Sequence, residues 1–149
     1  MEYLIRKCEI ADLPKLVILC QKHADFEKAD YSPEGKEEGL KKALFSENPK
    51  LHCLVVAVKN TIVGYVSYTF DFSTWNTAEF LYMDCLFLEE EARSFGIGEV
   101  LIDKLKEIGI ENNCVNIQWQ TPQFNERAIK FYNRMGAKGK DKVRFTLTL

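Results

Sequence analysis

The chain has 149 residues, 46% of them hydrophobic and 28% charged, with a formal net charge of -2. This length suits one domain over residues 1–149 with a sizeable core, and the composition excludes a disordered chain. No basic stripe is present to neutralise phosphates, no apolar run approaches a membrane span, and no signal-peptide pattern opens the chain, so neither nucleic acid nor membrane is expected as a partner and a cytoplasmic location is.

Residues 3–7 read as a first strand, and Asp12-Leu13-Pro14 as a helix start with the proline just inside it. Leu16, Val17 and Cys20 then share a face. After the Ser32-Pro33 break, Glu34 to Phe45 makes a second helix that Asn48-Pro49 ends. Leu51 to Val58 and Thr61 to Phe70 are strands, and the short polar link Lys59-Asn60 joins them as a hairpin. Beyond a loop at Asp71 to Thr77, Phe80 to Leu88 is almost wholly apolar or aromatic. It reads as a largely buried strand with one acid, Asp84, inside it. From Ile97 the residues Ile97, Val100, Leu101, Leu105 and Ile108 recur at helical spacing until a stop near Gly109. Val115 to Thr121 is a further strand, and Asn125 to Met135 a helix stopped by Gly136. Val143 to Leu149 alternates apolar and polar as a final strand. Strands interleaved with helices in this order define a mixed α+β fold.

Five cysteines, an odd number, widely spaced and without a Cys-x-x-Cys pair, support neither a disulfide framework nor a zinc site. They behave as small hydrophobes. His23 and His52 are distant in sequence from each other and from any acidic cluster, so no metal site is expected and surface or core roles suit them.

Chemistry concentrates at Arg93-Ser94-Phe95-Gly96-Ile97-Gly98, a loop that feeds straight into a helix. The first amides of a helix have no internal partner and carry the positive end of its dipole, so they attract anions. Glycines there remove the Cβ atoms that would hold a phosphate away, and Arg93 adds a permanent positive charge. No Gly-Lys-Ser/Thr follows, which excludes a P-loop, and Leu101 stands where a dinucleotide fingerprint wants its third glycine. An ordinary glycine-rich turn capping a helix remains the simpler alternative on the loop alone.

A second stretch, Asn125-Glu-Arg-Ala-Ile-Lys-Phe-Tyr-Asn-Arg-Met-Gly-Ala137, fits Asn-x-x-Ala-x-x-Phe-Tyr-x-x-x-Gly-Phe/Ala at every position. With Arg-x-x-Gly-x-Gly placed between an apolar strand and a helix, the chain resembles the GNAT N-acetyltransferase superfamily over essentially its whole length. It is nearest in pattern to the diamine and polyamine acetyltransferases. The resemblance implies a mixed, mostly antiparallel central sheet of about six to seven strands flanked by about four helices, with two central strands splayed apart.

It implies acetyl-CoA as cosubstrate. The diphosphate would lie on Arg93, Ser94, Phe95, Gly96, Ile97, Gly98 and Glu99, and the pantetheine arm would pair with Leu86, Phe87 and Leu88 as an added strand. Gln118 would line the far side of the gap, and Asn125 would contact the pantetheine or phosphate region. Carried over by position, Tyr132 would protonate the departing thiolate, as a phenol can at neutral pH. Helix-face packing beside Phe131 is the alternative for Tyr132. Asp84 stands where those proteins place the acid that serves the amine, either binding the ammonium or passing its proton to water. Aspartate there is one methylene shorter than the usual glutamate.

Tyr82, Glu27 and the acidic and aromatic residues Asp25, Asp30, Tyr31, Asp71, Trp75 and Glu79 suit a cationic acceptor. Trp119 stands either in the core or against the substrate, and Glu89-Glu90-Glu91 is expected to face water. The implied activity is transfer of an acetyl group to a primary amine of a small molecule, polyamine-like, diamine-like or an amino sugar, by direct attack in a ternary complex. A nucleophilic Cys85 is disfavoured because no histidine neighbours it in sequence and successive strand residues face opposite sides. The competing readings are an acetyl-CoA sensor without turnover and a protein or peptide N-acetyltransferase. Homodimers are common in the superfamily, and no residue pattern here decides for or against one.

Overall fold

The computed structural model describes residues 1–149. The apolar runs become five strands in one mixed sheet, ordered β1-β2-β3-β4-β5: Leu4–Lys7, His52–Val58, Thr61–Ser73, Ala78–Leu88 and Ile117–Gln118. The first four pair antiparallel, and β5 pairs parallel with β4. Lys59 and Asn60 both take left-handed backbone angles, φ 49° and 66°, which suits the tight turn between β2 and β3 to the sheet's twist. Helices α1 (Leu13–Phe26) and α2 (Lys36–Phe45) pack on one face. On the other, α3 (Ile97–Glu111) packs on the sheet, and α4 (Glu126–Arg134) brings Tyr132 against the same apolar cluster.

Alternation along β2 explains the two layers. Val55 and Ala57 point to one side, where Leu13, Leu16 and Leu19 of α1 meet Tyr65 and Phe87. Leu54 and Val56 point to the other, where Ile97, Leu101 and Leu105 of α3 meet Val66, Leu81 and Met83. Those three α3 side chains are essentially inaccessible, and at about 1.5–3 kcal/mol each their burial outweighs any helix propensity in fixing α3 to the sheet. By contrast α4 buries no residue completely. It is anchored by its N-cap, where the Asn125 side chain accepts from the Ala128 N–H at 3.3 Å, and by Tyr132 packed on Trp119 at 5.1 Å between centroids.

Several expectations are corrected. The strand expected over Val115 to Thr121 pairs only at Leu81 with Ile117 and Tyr82 with Gln118, because the chain then turns away from β4. The loop expected from Asp71 to Thr77 shrinks to residues 74–77, since the ladder between β3 and β4 continues to Ser73 and Ala78. Residues 143–149 form no strand, so the sheet has five strands where about six to seven were expected. Alternation specifies a strand with one face to bury but supplies no partner edge.

Candidate active site

Beyond Tyr82, β4 runs on to Leu88 with no ladder partner on its β5 side, while the chain after Gln118 veers off. The sheet therefore opens along Met83–Leu88. A cleft of about 940 Å³ fills the gap, walled by β4, the loop at residues 93–99, the stretch 120–125 and α4.

A β-bulge shapes the β4 wall. Ser67 pairs with Cys85 but Tyr68 pairs with Met83, so Asp84 is the extra residue. Side-chain parity shows the switch: Leu81 and Met83 face the α3 layer, Cys85 and Phe87 the α1 layer, and Leu86 and Leu88 the α3 layer again. Asp84 is thereby freed from the ladder and lines the cleft beside Cys85. This corrects the expectation that only one of that pair could reach it. The Cys85 thiol is pushed up to about 12 by burial and then by the negative charge of Asp84, so it stays protonated.

The head of α3 forms the second wall. Gly96 caps the helix with a left-handed backbone, φ 76°, and a Cβ there would meet nothing within 4 Å. The amides of Ile97, Gly98 and Glu99 precede the first helical hydrogen bond, from the Val100 N–H to the Gly96 carbonyl at 3.2 Å. Gly98 serves helix packing instead, since a Cβ would lie 3.3 Å from Phe131 and its absence lets α4 close against α3. Arg93 is held by a 2.9 Å bond from Nε to the Leu88 carbonyl, and its guanidinium covers the rings of Phe26 and Phe87 at 5.1 and 5.6 Å. Ser94 accepts from Arg127 of α4 at 3.2 Å. Open space, bare amides and a fixed cation make a seat that fits a diphosphate.

From α4, Tyr132 reaches the cleft. Burial, and then the charge of Glu27, push its phenol up to about 12, so it keeps its proton at neutral pH. Tyr82 accepts from Gln120 at 3.2 Å, and burial followed by Asp84 raises its phenol too.

Of the expected site residues, Leu86, Phe87, Leu88, Arg93, Ser94, Gly96, Ile97, Gly98, Glu99, Asn125, Tyr132, Asp84, Tyr82 and Glu27 all line this one cleft. Phe95 and Gln118 do not; Phe95 projects outward and Gln118 bonds to Asn116. Trp119 is also elsewhere, against the Tyr132 ring and the α3 layer, and borders a separate groove. Trp119, just beyond the end of β5, packs with Ile117 against the cluster that α3 covers, which gives it a core placement. Among the acidic and aromatic candidates only Tyr31 joins Glu27 in the cleft, and Trp75 is fully exposed.

Sequence reasoning missed three features. Glu89 is buried instead of facing water, bonded by Lys22 at 2.8 Å and Lys15 at 3.0 Å. His23 stands in the cleft and pairs with Glu27, one turn along α1. The i,i+4 spacing of His23 and Glu27 was the available signal. Lys142 and Arg144 of the tail border the cleft as well, and no local pattern announces them. No cluster of His, Cys, Asp and Glu is arranged to hold a metal ion, and no helix is long and apolar enough to cross a membrane.

A sheet that opens between β4 and β5, with unpaired amides at the mouth of the gap, makes an anion-binding cleft, and comparison with known proteins identifies the class to which it belongs. The profile of the acetyltransferase (GNAT) family matches residues 16–137, and the chain belongs to that family. It is an acyltransferase, and acetyltransferases of the family take their acetyl group from acetyl-CoA.

Among its relatives is the thialysine N-epsilon-acetyltransferase of Sus scrofa, 29% identical over 143 residues, covering 91% of this chain and 84% of that protein. The human spermidine/spermine N(1)-acetyltransferase-like protein 1 is 26% identical over 145 residues, covering 92% of this chain but 21% of its own length. The fold is shared with a possible acetyltransferase from Clostridium difficile 630, with a TM-score of 0.82, 21% identity and coverage of 100% and 99% of the two chains.

Proposed function

We propose that this protein transfers the acetyl group of acetyl-CoA to a primary amine of a small molecule, polyamine-like, diamine-like or an amino sugar, by direct attack in a ternary complex. The observation that carries this reading is the convergence of one phenol, Tyr132, and one bulged carboxylate, Asp84, on a cleft whose mouth is the bare head of α3. The names of the relatives, a thialysine acetyltransferase and a spermidine/spermine acetyltransferase-like protein, agree with amine acceptors of this size.

In this reading the amides of Ile97, Gly98 and Glu99 with Arg93 hold the diphosphate, and Leu86 to Leu88 pair with the pantetheine arm in the place of a missing strand. Asp84 binds the ammonium and passes its proton to water, a direct transfer being uphill for a carboxylate. The neutral amine attacks the thioester carbonyl, the carbon–sulfur bond breaks, and Tyr132 donates its proton to the departing thiolate. Tyr132 recovers a proton as the new amide nitrogen sheds its own. The rate comes largely from holding amine and thioester together. The protein acts as one domain and as a homodimer, for which the bare apolar tail is the argument.

The test is acetyl-CoA-dependent thiol release with a panel of amines, amino sugars and short peptides. Release with free small amines supports the reading. Cofactor binding without release from any acceptor makes the protein a sensor, and release only with peptides makes it a peptide acetyltransferase.

A further inference from the structure

A single lysine of the chain lines the cleft, and it is Lys142. Its surroundings differ from those of the lysines that the fold employs. Lys15 and Lys22 donate to Glu89, Lys106 donates to Asp103, and Lys28 and Lys36 lie over the rings of Phe124 and Tyr31. Lys142 has no ion pair, and from residue 138 onward no backbone group is hydrogen-bonded. Its ammonium therefore comes to the cleft unpaired, on a length of chain that no ladder holds.

Arg144 marks which end of the cleft the tail reaches. The Tyr82 phenol is raised first by burial and then by the charge of Asp84, and the opposing positive charge of Arg144 acts on the same group. The tail thus stands at the acceptor end, by Tyr82 and Asp84. Lys142 lies two residues before Arg144, at most about 7 Å along the chain, a distance of the order that the flexible four-carbon stem of lysine spans. Asp84 has no ion pair either; its one side-chain hydrogen bond is from the Cys85 thiol at 3.8 Å. An unpaired carboxylate and an unpaired primary ammonium therefore border the same cavity as Tyr132. Of the two tail cations only the lysine can become a nucleophile, because a guanidinium keeps its proton in proteins.

We propose that Lys142 is an acetylation site of this chain: its ε-amine enters the cleft as an internal acceptor, and until it is acetylated the tail competes there with free amines. The proposal rests on the reading of the cleft as an amine-acetylating site. Asp84 binds the ammonium and water takes its proton. The neutral nitrogen then attacks the thioester carbonyl, so that a carbon–nitrogen bond forms and the carbon–sulfur bond breaks. The departing thiolate takes the Tyr132 proton and leaves as the CoA thiol, while the new amide nitrogen sheds its extra proton and the phenol is restored. Acetyl-CoA supplies the whole acetyl group, so no further reactant is needed. The product side chain is a neutral amide with no ammonium for Asp84, so the tail gives up the acceptor end and the competition ends.

The full chain is incubated with acetyl-CoA and no acceptor, and each lysine is followed by peptide mass spectrometry. Lys138 and Lys140, exposed on the same tail and outside the cleft lining, report the slow chemical acetylation of any surface lysine. Lys142 should be acetylated at least about tenfold faster than either, because the cleft holds its amine against the thioester. The rate per chain should not change with protein concentration. Added 1,4-diaminobutane should slow it, and Tyr132→Phe should slow it by the same factor as it slows acetylation of that diamine. Lys142→Gln, neutral like the product, should lower the KM for 1,4-diaminobutane about two- to tenfold at unchanged kcat, as on removing a competitor tethered at about millimolar effective concentration. Lys142→Arg keeps the charge and should keep the original KM.

Acetylation of Lys142 no faster than that of Lys138, a rate per chain that rises with protein concentration, or a KM unmoved by Lys142→Gln would each overturn the proposal, while acetylation of 1,4-diaminobutane leaves the functional reading standing. If neither Lys142 nor the diamine is acetylated, it is that reading that falls.

Discussion

Removing the hydroxyl of Tyr132 separates the packing of that side chain from the acid role proposed for it. The ring packs on Trp119 and Phe131 and supports α4, while the phenol alone can donate a proton to sulfur. Tyr132→Phe keeps the packing, so turnover should fall by about 10²–10⁴ with acetyl-CoA affinity within about twofold, measured by calorimetry beside steady-state kinetics. Undiminished turnover, with chemistry shown to be rate-limiting, would remove the phenol from its role. The sign of the pH dependence also follows. An acid must be protonated to work, and burial with Glu27 has moved this phenol from its ordinary 10 up to about 12. Activity should therefore hold level through about pH 10.5 before any loss assignable to Tyr132, where an ordinary phenol would already be failing. Gly64 governs a purely structural close approach. A Cβ there would lie 2.5 Å from Leu88 Cδ2 and 2.8 Å from the Phe87 carbonyl oxygen, and the carbonyl belongs to the ladder and cannot swing away. Gly64→Ala should cost about 1–3 kcal/mol in urea unfolding, through a strained β3–β4 pairing directly beneath the cleft.

At the scale of elements, the head of α3 depends on the left-handed residue that opens it. Gly96→Val puts a β-branched side chain at φ 76° with its methyls in the open mouth of the cleft, so it should lose about 1–3 kcal/mol of stability and weaken acetyl-CoA binding. Gly96→Ala shares most of the strain with little of the bulk, and comparing the two by calorimetry separates steric blockage from backbone cost. The loop before α3 is tied to α1 through Glu89. Burial alone would raise this carboxyl, but hydrogen bonds from Lys22 and Lys15 outweigh it and hold the group below the usual glutamate range. A lowered carboxylate contributes stability fully above its unfolded pKa and loses it as pH falls through the lowered folded value. Glu89→Gln should then cost about 1–3 kcal/mol at neutral pH and flatten the loss of stability between about pH 5 and 3 in acid unfolding. These elements also show what a sequence can disclose. Strands β2 to β4 and helices α1 and α3 are legible because their apolar spacing is set by the same faces they bury. The bulge at Asp84 is not, since one unpaired residue leaves no mark on composition. Glu89 escapes a sequence reading because its partners lie 67 and 74 residues away on α1. His23 escapes it because a two-residue pair on a helix looks like any surface ion pair until the sheet places Tyr65 and Phe87 around it.

For the molecule as a whole, the outstanding physical problem is the tail. Val143, Phe145, Leu147 and Leu149 are 78%, 90%, 87% and 113% exposed, one alternating apolar row left entirely in water. At about 1.5–3 kcal/mol per side chain that row withholds a stabilisation comparable with the net stability of many domains. The same chain offers a receptor for it. Beside β5, the sheet's last strand, runs a groove of about 380 Å³ lined by Ile102, Ile110, Val115, Ile117, Trp119 and Met135, and Val115 and Ile110 are themselves exposed. The chain's own row does not lie in its own groove. A second copy can supply row to groove and groove to row, which closes a two-fold dimer by an isologous contact and covers both exposed surfaces at once. Light scattering should then give twice the 17.2 kDa of one chain. Deleting residues 143–149 should return a folded monomer, and Phe145→Asp should do the same by charging the middle of the row without shortening the chain. A full chain that stays monomeric at about millimolar concentration would show that no second copy covers the row. Because Lys142 and Arg144 border the cleft from the base of the same tail, dimerisation would also settle where those two cations stand relative to the acceptor. Loss of the dimer should for that reason change the acceptor KM, with acetyl-CoA affinity unaltered.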